Sequence, residues 1–373
     1  MNIILYVFMG ISLVLLVPGI RIAKRNEFIS HPYPLFMTKG IAGYFSFCIL
    51  VHHYTNVIRV LPSYNGELQI LEYMGVLLVG FFFLFSGYGL IVSYKEKENY
   101  LDTFMIRRVC AVLIPFFICN YAYMITALLT GCKFQMNELV LAFFGVILLN
   151  DHMWFAIEIM LLYLVFYFVF RYIKGEKSKY FLIGLFIIAL MTFSFLLGHN
   201  LESPIQMNWY QGEWWYNTTP LFFLGMLLGK NRNRFVTFAQ KHYIPLITIS
   251  LIGFVGFWHA TSYMLQHHGY WTETAFSKGY ADKLMTLSVQ LPMVIFFELF
   301  LLLLFMKVQF HNPALQFLGK ISLELILLQN VFLLYFSDYL PIDYRVYGLY
   351  TIVFTVIVAT LINKLKLLVL EKK

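Results

Sequence analysis

Apolar stretches of membrane-spanning length, separated by short polar segments, make up most of the sequence. An α-helix rises about 1.5 Å per residue, so roughly 20 apolar residues cross a hydrocarbon layer about 30 Å thick. Eleven stretches fit this pattern, at residues 2–20, 39–58, 73–93, 109–130, 154–172, 180–197, 217–229, 243–258, 284–306, 321–336 and 345–368. The pattern predicts an all-α fold, a polytopic membrane bundle of about 11 transmembrane helices.

The basic residues divide the connecting segments into two classes. If the N-terminus lies outside and the stretches alternate, all but five of the 27 Lys and Arg residues fall on the cytoplasmic side, together with the C-terminus. The exceptions are Arg59, Lys133, Lys278, Lys283 and Arg345. This arrangement requires that residues 137–150 do not cross the membrane. We therefore predict a short re-entrant or interfacial helix there.

Composition supports a multi-pass protein of the cell membrane. The sequence is 60% hydrophobic and 12% charged, with a mean hydropathy of +0.74, whereas soluble domains are about 25% charged. The net charge of +8 comes from basic residues beside apolar spans, which is typical of topology signals and of contacts with anionic lipid. We expect membrane lipid as a partner, and no nucleic acid.

Two adjacent histidines, His52 and His53, lie inside the second apolar stretch. His53 is roughly 21 Å along the helix from Lys39, about two thirds of the way through the hydrocarbon layer. A charge at a helix centre costs at least about 2.5–3.5 kcal/mol, so ionisable groups at this depth are rare and usually functional. The histidine pair is the first candidate for chemistry.

Four other polar residues lie inside the predicted spans, namely Glu158, Glu298, Glu324 and Gln329. Each must face protein or a wet cavity, because lipid offers no hydrogen-bond partner. Hydrogen bonding between helices is the structural alternative for all four, and it is favoured most for Glu298, which has no other motif beside it.

Tryptophans crowd a predicted outer loop at residues 198–216. Trp209, Trp214 and Trp215 stand there among Asn, Gln and Glu. One interpretation is an interfacial aromatic belt, and the other is a platform whose aromatic faces stack on sugar rings. The histidines of the next outer loop fit no common zinc-ligand spacing, so no metal site is predicted. The four cysteines are expected to be unpaired.

Six short motifs follow one another along the chain. They are Lys39-Gly40-Ile41-Ala42 leading to His52-His53, Phe82-Phe83-Leu84-Phe85-Ser86-Gly87-Tyr88, Phe104-Met105-Ile106-Arg107-Arg108, His152-Met153-Trp154-Phe155 with Glu158, Phe223-Leu224-Gly225-Met226, and Leu318-Gly319-Lys320-Ile321-Ser322. Their order resembles the acyltransferase-3 family of bacterial integral membrane O-acyltransferases. The second motif, close to the family's FFxxSG signature, is the most specific match. Residues 33–373 then form the acyltransferase-3-like membrane domain, and residues 1–32 an additional N-terminal transmembrane helix with a basic cytoplasmic segment.

The sequence departs from the family pattern at three places. The family's basic residue precedes its histidine by eleven positions, whereas Lys39 precedes His52 by thirteen and His53 by fourteen. At 100° per residue, fourteen positions keep His53 within about 40° of the Lys39 face, while thirteen turn His52 about 140° away, which favours His53. The family's paired arginines, usually three apart, are adjacent here, and Gln329 stands where a histidine often occurs.

The resemblance implies transfer of an acyl group, usually acetyl, to a carbohydrate hydroxyl at the outer face. It implies no bound cofactor, with acyl-CoA, expected to be acetyl-CoA, as the cytoplasmic co-substrate, and a surface polysaccharide or lipid-linked glycan as the acceptor. An intramembrane histidine can accept the hydroxyl proton or carry the acyl group. The catalytic candidates are His53, His52 and, as the carboxylate that orients the imidazole, Glu158.

Binding roles follow from the same resemblance. The candidates for binding the acyl donor are Lys39, Arg107, Arg108, Ser86 and Gly87. Arginines bind phosphates well, although topology anchoring explains the two arginines equally, and Ser86 and Gly87 suit a close approach of helices or donor. The candidates for binding the acceptor are Trp154, Trp209, Trp214 and Trp215. The remaining polar positions within the spans are Ser322, Glu324 and Gln329.

Two other functions remain open. A transporter or flippase of a lipid-linked saccharide also needs many spans, outer aromatics and intramembrane carboxylates, but we find no convincing internal repeat. A non-catalytic assembly subunit would leave the histidine pair without a role. The acceptor glycan, the length of the acyl group, the reacting histidine and a homo-oligomeric state are also left open.

Overall fold

Helices dominate the described part of the chain. The computed structural model describes residues 3–61, 64, 66, 68–197, 209, 212–269, 279–339 and 343–371. The α-helices are α1 (Ile3–Leu16), α2 (Leu35–Ile58), α3 (Gly75–Glu96), α4 (Ala111–Leu129), α5 (Met136–Phe143), α6 (Trp154–Tyr172), α7 (Glu176–Leu197), α8 (Trp214–Asn217), α9 (Pro220–Lys230), α10 (Arg232–Lys241), α11 (Tyr243–His267), α12 (Tyr280–Phe305), α13 (Pro313–Lys320), α14 (Ser322–Leu334) and α15 (Tyr344–Glu371). Short 3₁₀ segments occupy Gln69–Tyr73 and Asp151–Met153, and π-helical turns occupy Met105–Cys110 and Tyr335–Tyr339.

Eight of the described helices are long and apolar enough to cross a membrane, namely α2, α3, α4 with the π-helical turn before it, α6, α7, α11, α12 and α15. Helices α13 and α14 meet this criterion only as a pair, and they are bent by 70°. Two stretches predicted to span are shorter, because α1 has 14 residues and α9 has 11. The all-α polytopic fold is confirmed, whereas the count of eleven spans is not.

The segment predicted not to cross forms the short helix α5. It has eight residues and is followed by turns from Phe144 to Asn150. A capping interaction starts it, since the backbone N–H of Gln135 donates to Oε2 of Glu138 at 2.8 Å. Eight helical residues rise only about 12 Å, so α5 is too short to span.

Several basic segments meet at one end of the bundle, which we call the basic end and define as residues 21–31, 95–108, 171–179 and 230–243. Ion pairs join these segments: Arg171 Nη1 to Asp102 Oδ1 at 2.5 Å, Lys230 Nζ to Glu176 Oε1 at 3.3 Å, and Arg232 Nη1 to Glu96 Oε1 at 3.5 Å. Strand β1 (Arg21–Ile22) also pairs antiparallel with β2 (Val308–Gln309). These contacts agree with the predicted gathering of basic segments, while the side of the membrane they face stays a prediction.

The N-terminal helix packs against the rest of the bundle. The ring of Phe8 stacks on Phe47 of α2 with centroids 5.8 Å apart. The hydroxyl of Tyr44 donates to Ser12 Oγ at 3.1 Å, and buried Ile4 lies against Gly348 of α15. Residues 1–32, expected as an addition to the domain, therefore share its apolar core through α1.

Glycines allow two pairs of helices to pack with their backbones in contact. A Cβ at Gly87 of α3 would overlap the carbonyl oxygen of Phe222 on α9, and one at Gly225 would overlap that of Leu84. Gly43 of α2 and Gly319 of α13 approach one another in the same way. Small residues at such positions are typical of membrane helix interfaces, because lipid gives little hydrophobic drive to helix association.

We expect Gly87→Ala to destabilise the bundle by about 1–3 kcal/mol, because the added methyl group must push α9 away from α3. Gly89→Ala is the matched control on the same helix, since nothing lies within 4 Å of a Cβ there. Thermal unfolding of the purified variants in detergent measures the difference. Equal unfolding temperatures for the two variants would contradict the backbone contact.

Candidate functional site

The hydrogen bonds of His52 determine which of its nitrogens carries the proton. Its Nδ1 lies 2.7 Å from the carbonyl oxygen of Leu71, in the 3₁₀ segment that follows α2. A carbonyl oxygen can only accept, so Nδ1 is the protonated nitrogen. The side-chain nitrogen of Asn56, one turn further along α2, donates to Nε2 at 3.2 Å. The Nε2 atom of His52 is therefore an acceptor.

His53 is held by residues from two other segments. The amide nitrogen of Gln329 on α14 lies 2.7 Å from Nδ1 of His53, so Nδ1 accepts and Nε2 carries the proton. The ring of His53 stacks on that of His152, with centroids 3.8 Å apart and an interplanar angle of 25°. The rings of His52 and His53 are 5.1 Å apart. The two adjacent histidines thus have opposite tautomers.

His152 belongs to the site, although no catalytic or binding role was predicted for it. It lies in the 3₁₀ turn before α6, where its Nδ1 contacts the amide nitrogen of Asn330. Asn330 also donates to Asn150 Oδ1 at 3.0 Å, and Asn150 Oδ1 accepts the backbone N–H of His152 at 3.2 Å. The available signal was a pair of adjacent amides, Gln329 and Asn330, in an otherwise apolar helix.

A polar cavity of about 500 Å³ adjoins His52 at the end of α2 away from Lys39. We call it the polar cavity, and it is lined by His52, Asn56, Arg59, Glu72, Tyr73, Gly75, Val76, Glu213, Asn217, Trp258, Thr261, Ser262, Leu265, Gln266, Gln290 and Met293. A Cβ at Gly75 would lie only 2.7 Å from Nε2 of His52. The acceptor nitrogen of His52 therefore faces the start of α3 at the cavity wall.

Glu158 occupies a different place from the one the sequence predicted. Its fully buried carboxylate accepts a hydrogen bond from the hydroxyl of Thr219, at the break between α8 and α9. Because Glu158 lies on the face of α6 directed towards that break, it does not supply the orienting contact to His53. Gln329 of α14 supplies that contact instead.

Two of the residues predicted to bind the donor lie together near the basic end. Lys39 is exposed and within electrostatic reach of Arg108, Lys97 and Lys366. Arg108 Nε donates to the hydroxyl of Tyr100 at 2.9 Å. Burial raises the pKa of the Tyr100 phenol, so its hydroxyl stays neutral at physiological pH. The positive charges therefore lie near the N-terminal end of α2, whereas the polar cavity lies near its C-terminal end.

The other predicted donor residues are dispersed. Arg107 is exposed on the π-helical turn before α4. Ser86 lies on the side of α3 that meets α6, where it accepts a hydrogen bond from the hydroxyl of Tyr163 at 3.5 Å. Gly87 is used in the contact between α3 and α9 described above, which agrees with the interpretation of this glycine as a site of close helix approach.

The four predicted acceptor tryptophans pack on one another. Trp154 stacks on Trp214 with centroids 5.2 Å apart, and the indole N–H of Trp215 donates to the carbonyl oxygen of Trp209 at 2.5 Å. Residues 198–208 of their loop lie outside the described residues. Among the described residues that line the polar cavity, the tryptophan is Trp258 of α11.

Residues 39–364 match the family described as an acyltransferase domain, acyltransferase-3. The chain belongs to the acyltransferase-3 family. Neither the curated proteins nor the solved structures give a match. The protein is thus a multi-pass membrane acyltransferase, and the matched region begins at Lys39 and includes the histidine pair, His152 and Gln329.

A buried ion pair joins the last two long helices of this acyltransferase. Glu324 of α14 is fully buried, and its Oε1 lies 2.5 Å from Nζ of Lys366 and 3.2 Å from Nδ2 of Asn363 on α15. Ser322, the first residue of α14, donates to the carbonyl oxygen of Gly319 at 3.4 Å. These contacts favour hydrogen bonding between elements as the role of Ser322 and Glu324. The four cysteines are free, as predicted.

We expect Lys366→Ala to destabilise the protein by about 3–5 kcal/mol, because it leaves the carboxylate of Glu324 buried without its cation. Adding Glu324→Gln should restore most of the loss by removing the buried charge. Lys364→Ala, an exposed lysine on the same helix, is the control. Thermal unfolding measures all four proteins, and a double variant no more stable than Lys366→Ala would contradict the pairing.

Proposed function

We propose that this acyltransferase moves an acetyl group from acetyl-CoA, bound near the basic end, to a hydroxyl of a carbohydrate in the polar cavity. The single observation that carries the proposal is the unprotonated Nε2 of His52 beside that cavity. The membrane would be the plasma membrane, with the polar cavity open to the outside. Family membership supports acyl transfer, and the remaining elements are our proposal.

His52 is proposed as the general base. A sugar hydroxyl is a poor nucleophile at neutral pH, so a positioned base must take its proton as the oxygen attacks. Because Nδ1 of His52 is bound to the Leu71 carbonyl, the proton can be received at Nε2, where the incoming hydroxyl must displace the amide of Asn56. The angular position of His53, close to the Lys39 face of α2, favoured His53 for this role, whereas the hydrogen bonds of the two rings favour His52.

His53 is proposed as a hydrogen-bond donor to the reacting thioester. Its Nδ1 accepts from Gln329, so its Nε2–H can donate to the thioester carbonyl oxygen or to the departing sulfur. In the balanced step, the acceptor oxygen bonds to the acetyl carbon and the bond from that carbon to sulfur breaks. His52 takes the hydroxyl proton at Nε2 and then gives it to the departing thiolate. The Nε2–H of His53 keeps its proton and stabilises the developing negative charge by a hydrogen bond, so both rings end in their starting state.

The basic end is proposed to bind the phosphates of CoA. Lys39 and Arg108 lie near Lys97, and such a group of cations suits the diphosphate and 3′-phosphate of the donor. Arg107, exposed on the same π-helical turn, can join them. The acetylated arm would then extend past Ser86, about halfway along α3, towards His53.

Transfer to a glycan acceptor tests the histidine roles. We expect His52→Ala and His53→Ala each to lower the rate by about 10²–10⁴-fold, the usual contribution of acid–base catalysis. The assay supplies labelled acetyl-CoA to protein in vesicles, with surface polysaccharide from cells lacking the gene as acceptor. His267→Ala is the control, since this exposed histidine lies on α11 and bonds to its own helix.

Two results would overturn the proposal. If both histidine variants transferred acetyl as fast as the parent, their catalytic roles would be refuted. If the parent transferred no label from acetyl-CoA to the polysaccharide, and no acyl group from any other acyl-CoA, the proposed donor and acceptor would be refuted.

Gly75→Ala should lower the rate by at least about tenfold while lowering the unfolding temperature less than Gly87→Ala does, because the added methyl group meets a side chain and not a backbone. The added methyl group would lie 2.7 Å from Nε2 of His52, so it displaces either the imidazole or the incoming hydroxyl. A misplacement of this size commonly costs about 10²-fold in catalysis. Gly89→Ala on the same helix is the control, and an unaffected rate for Gly75→Ala would contradict the position given to Nε2.

A further inference from the structure

Asn217 presents an unused acceptor in the polar cavity. This residue of α8 is only 2% exposed, and its Nδ2 donates to Oε1 of Gln290 at 3.1 Å. Its Oδ1 has no hydrogen-bond partner among the described residues. Both Asn217 and Gln290 line the cavity. Buried polar atoms normally have a partner, so an orphan at a cavity wall indicates a place for a ligand.

Thr261 presents a second unused group on the same wall. It is 3% exposed on α11, and its hydroxyl has no partner within the described parts of the chain. Its neighbour Ser262 instead donates to the carbonyl oxygen of Trp258 at 2.9 Å, the usual solution for a hydroxyl in an apolar helix. Leaving a buried hydroxyl unpaired costs about 1–3 kcal/mol, which a bound hydroxyl group would recover.

Trp258 supplies an aromatic surface one turn before Thr261. Its ring is half-buried and lines the polar cavity, with its inner side packed on Phe254 at a centroid distance of 5.9 Å. A sugar ring has apolar C–H faces and polar edges. The combination of an indole with the amide of Asn217 and the hydroxyl of Thr261 matches both parts of such a ring.

The charges of the cavity wall discriminate between classes of sugar. Two carboxylates, Glu72 and Glu213, line the cavity together with one guanidinium, that of Arg59. Arg59 is exposed, whereas both carboxylates are partly buried. An anionic ring would be repelled by the excess negative charge, since like charges brought together cost several kcal/mol in a partly buried site.

We propose that Asn217, Thr261 and Trp258 form the acceptor subsite of the polar cavity, and that this subsite takes an uncharged sugar ring in preference to one that carries a carboxylate. The inference rests on the proposed function, in which the hydroxyl to be acylated enters the same cavity and meets His52. None of the three residues belongs to the motifs that carry the family resemblance. They come from α8 and α11, on the side of the cavity opposite α2.

A matched pair of small glycosides tests the subsite without any acyl donor. Methyl β-D-glucopyranoside and methyl β-D-glucuronide have the same ring and differ in one carboxylate. Binding to the purified full chain in nanodiscs is followed by tryptophan fluorescence and by the shift in unfolding temperature. We expect the parent to bind the glucoside at least about tenfold more tightly than the glucuronide, the factor given by about 1.4 kcal/mol of charge repulsion.

Thr261→Val probes the unused hydroxyl while keeping the size of the side chain. We expect it to weaken glucoside binding about fivefold, the value of one net hydrogen bond. Thr126→Val is the control, because the hydroxyl of Thr126 on α4 already donates to Ala122 at 2.9 Å. The unfolding temperature of each variant without ligand shows whether it has folded.

The outcomes separate the subsite from the proposed function. Equal binding of the two glycosides, no binding of either by the parent, or a Thr261→Val variant that binds as the parent does would overturn the subsite. If the parent acetylates polysaccharide and Thr261→Val leaves its KM unchanged, the subsite fails while acyl transfer stands. If the glucoside binds as expected but no acetyl group leaves acetyl-CoA, the subsite stands and the transfer reaction fails.

Discussion

One backbone carbonyl, that of Leu71, decides which nitrogen of His52 carries the proton. At 2.7 Å it holds Nδ1–H and leaves Nε2 as an acceptor, which the amide of Asn56 contacts at 3.2 Å at the wall of the polar cavity. The carbonyl is held in place by hydrophobic burial, because the side chains of Leu68 and Leu71 pack with Ile58 in a core cluster at this end of the bundle. A loop anchored by apolar contacts thus decides which nitrogen of His52 carries the proton.

The second histidine depends on three segments that are far apart in the sequence. His53 comes from α2, His152 from the turn before α6, and Gln329 with Asn330 from α14. The two neighbouring amides each contact one imidazole. Such pairing stabilises an apolar bundle, since burying a polar group without a hydrogen-bond partner is unfavourable and lipid chains offer no partner. The helix contacts through Gly43 and Gly319 hold α2 close to the element before α14.

The FFxxSG-like motif of α3 has several structural roles. Gly87 brings α3 against α9, Phe83 stacks on Trp154 with centroids 6.3 Å apart, and Ser86 meets Tyr163. The motif therefore forms the interfaces of α3 with α6 and α9. These interfaces hold α3, which runs from Gly75 at the polar cavity to Glu96 at the basic end.

Much of this protein could be predicted from the sequence alone. Apolar runs of about 20 residues impose helices, because backbone groups in lipid must bond within their own segment. The runs also predicted the all-α membrane fold. The order of the motifs indicated the acyltransferase-3 family, which the match over residues 39–364 confirmed. The short helix α5 was predicted by counting the basic residues on each side of the membrane. The histidine pair was recognisable because it lies inside an apolar stretch of membrane-spanning length.

The tertiary structure decided what these elements do together. Periodicity places His53 on the Lys39 face of α2. It cannot show that Gln329 contacts the imidazole of His53, or that Glu158 accepts a hydrogen bond from Thr219. It also cannot bring Asn217 and Thr261 from separate helices to one cavity. A sequence pattern records which residues share a face of one helix. Which faces meet depends on the packing of helices distant along the chain, and hydrogen-bond partners are fixed only when that packing is complete.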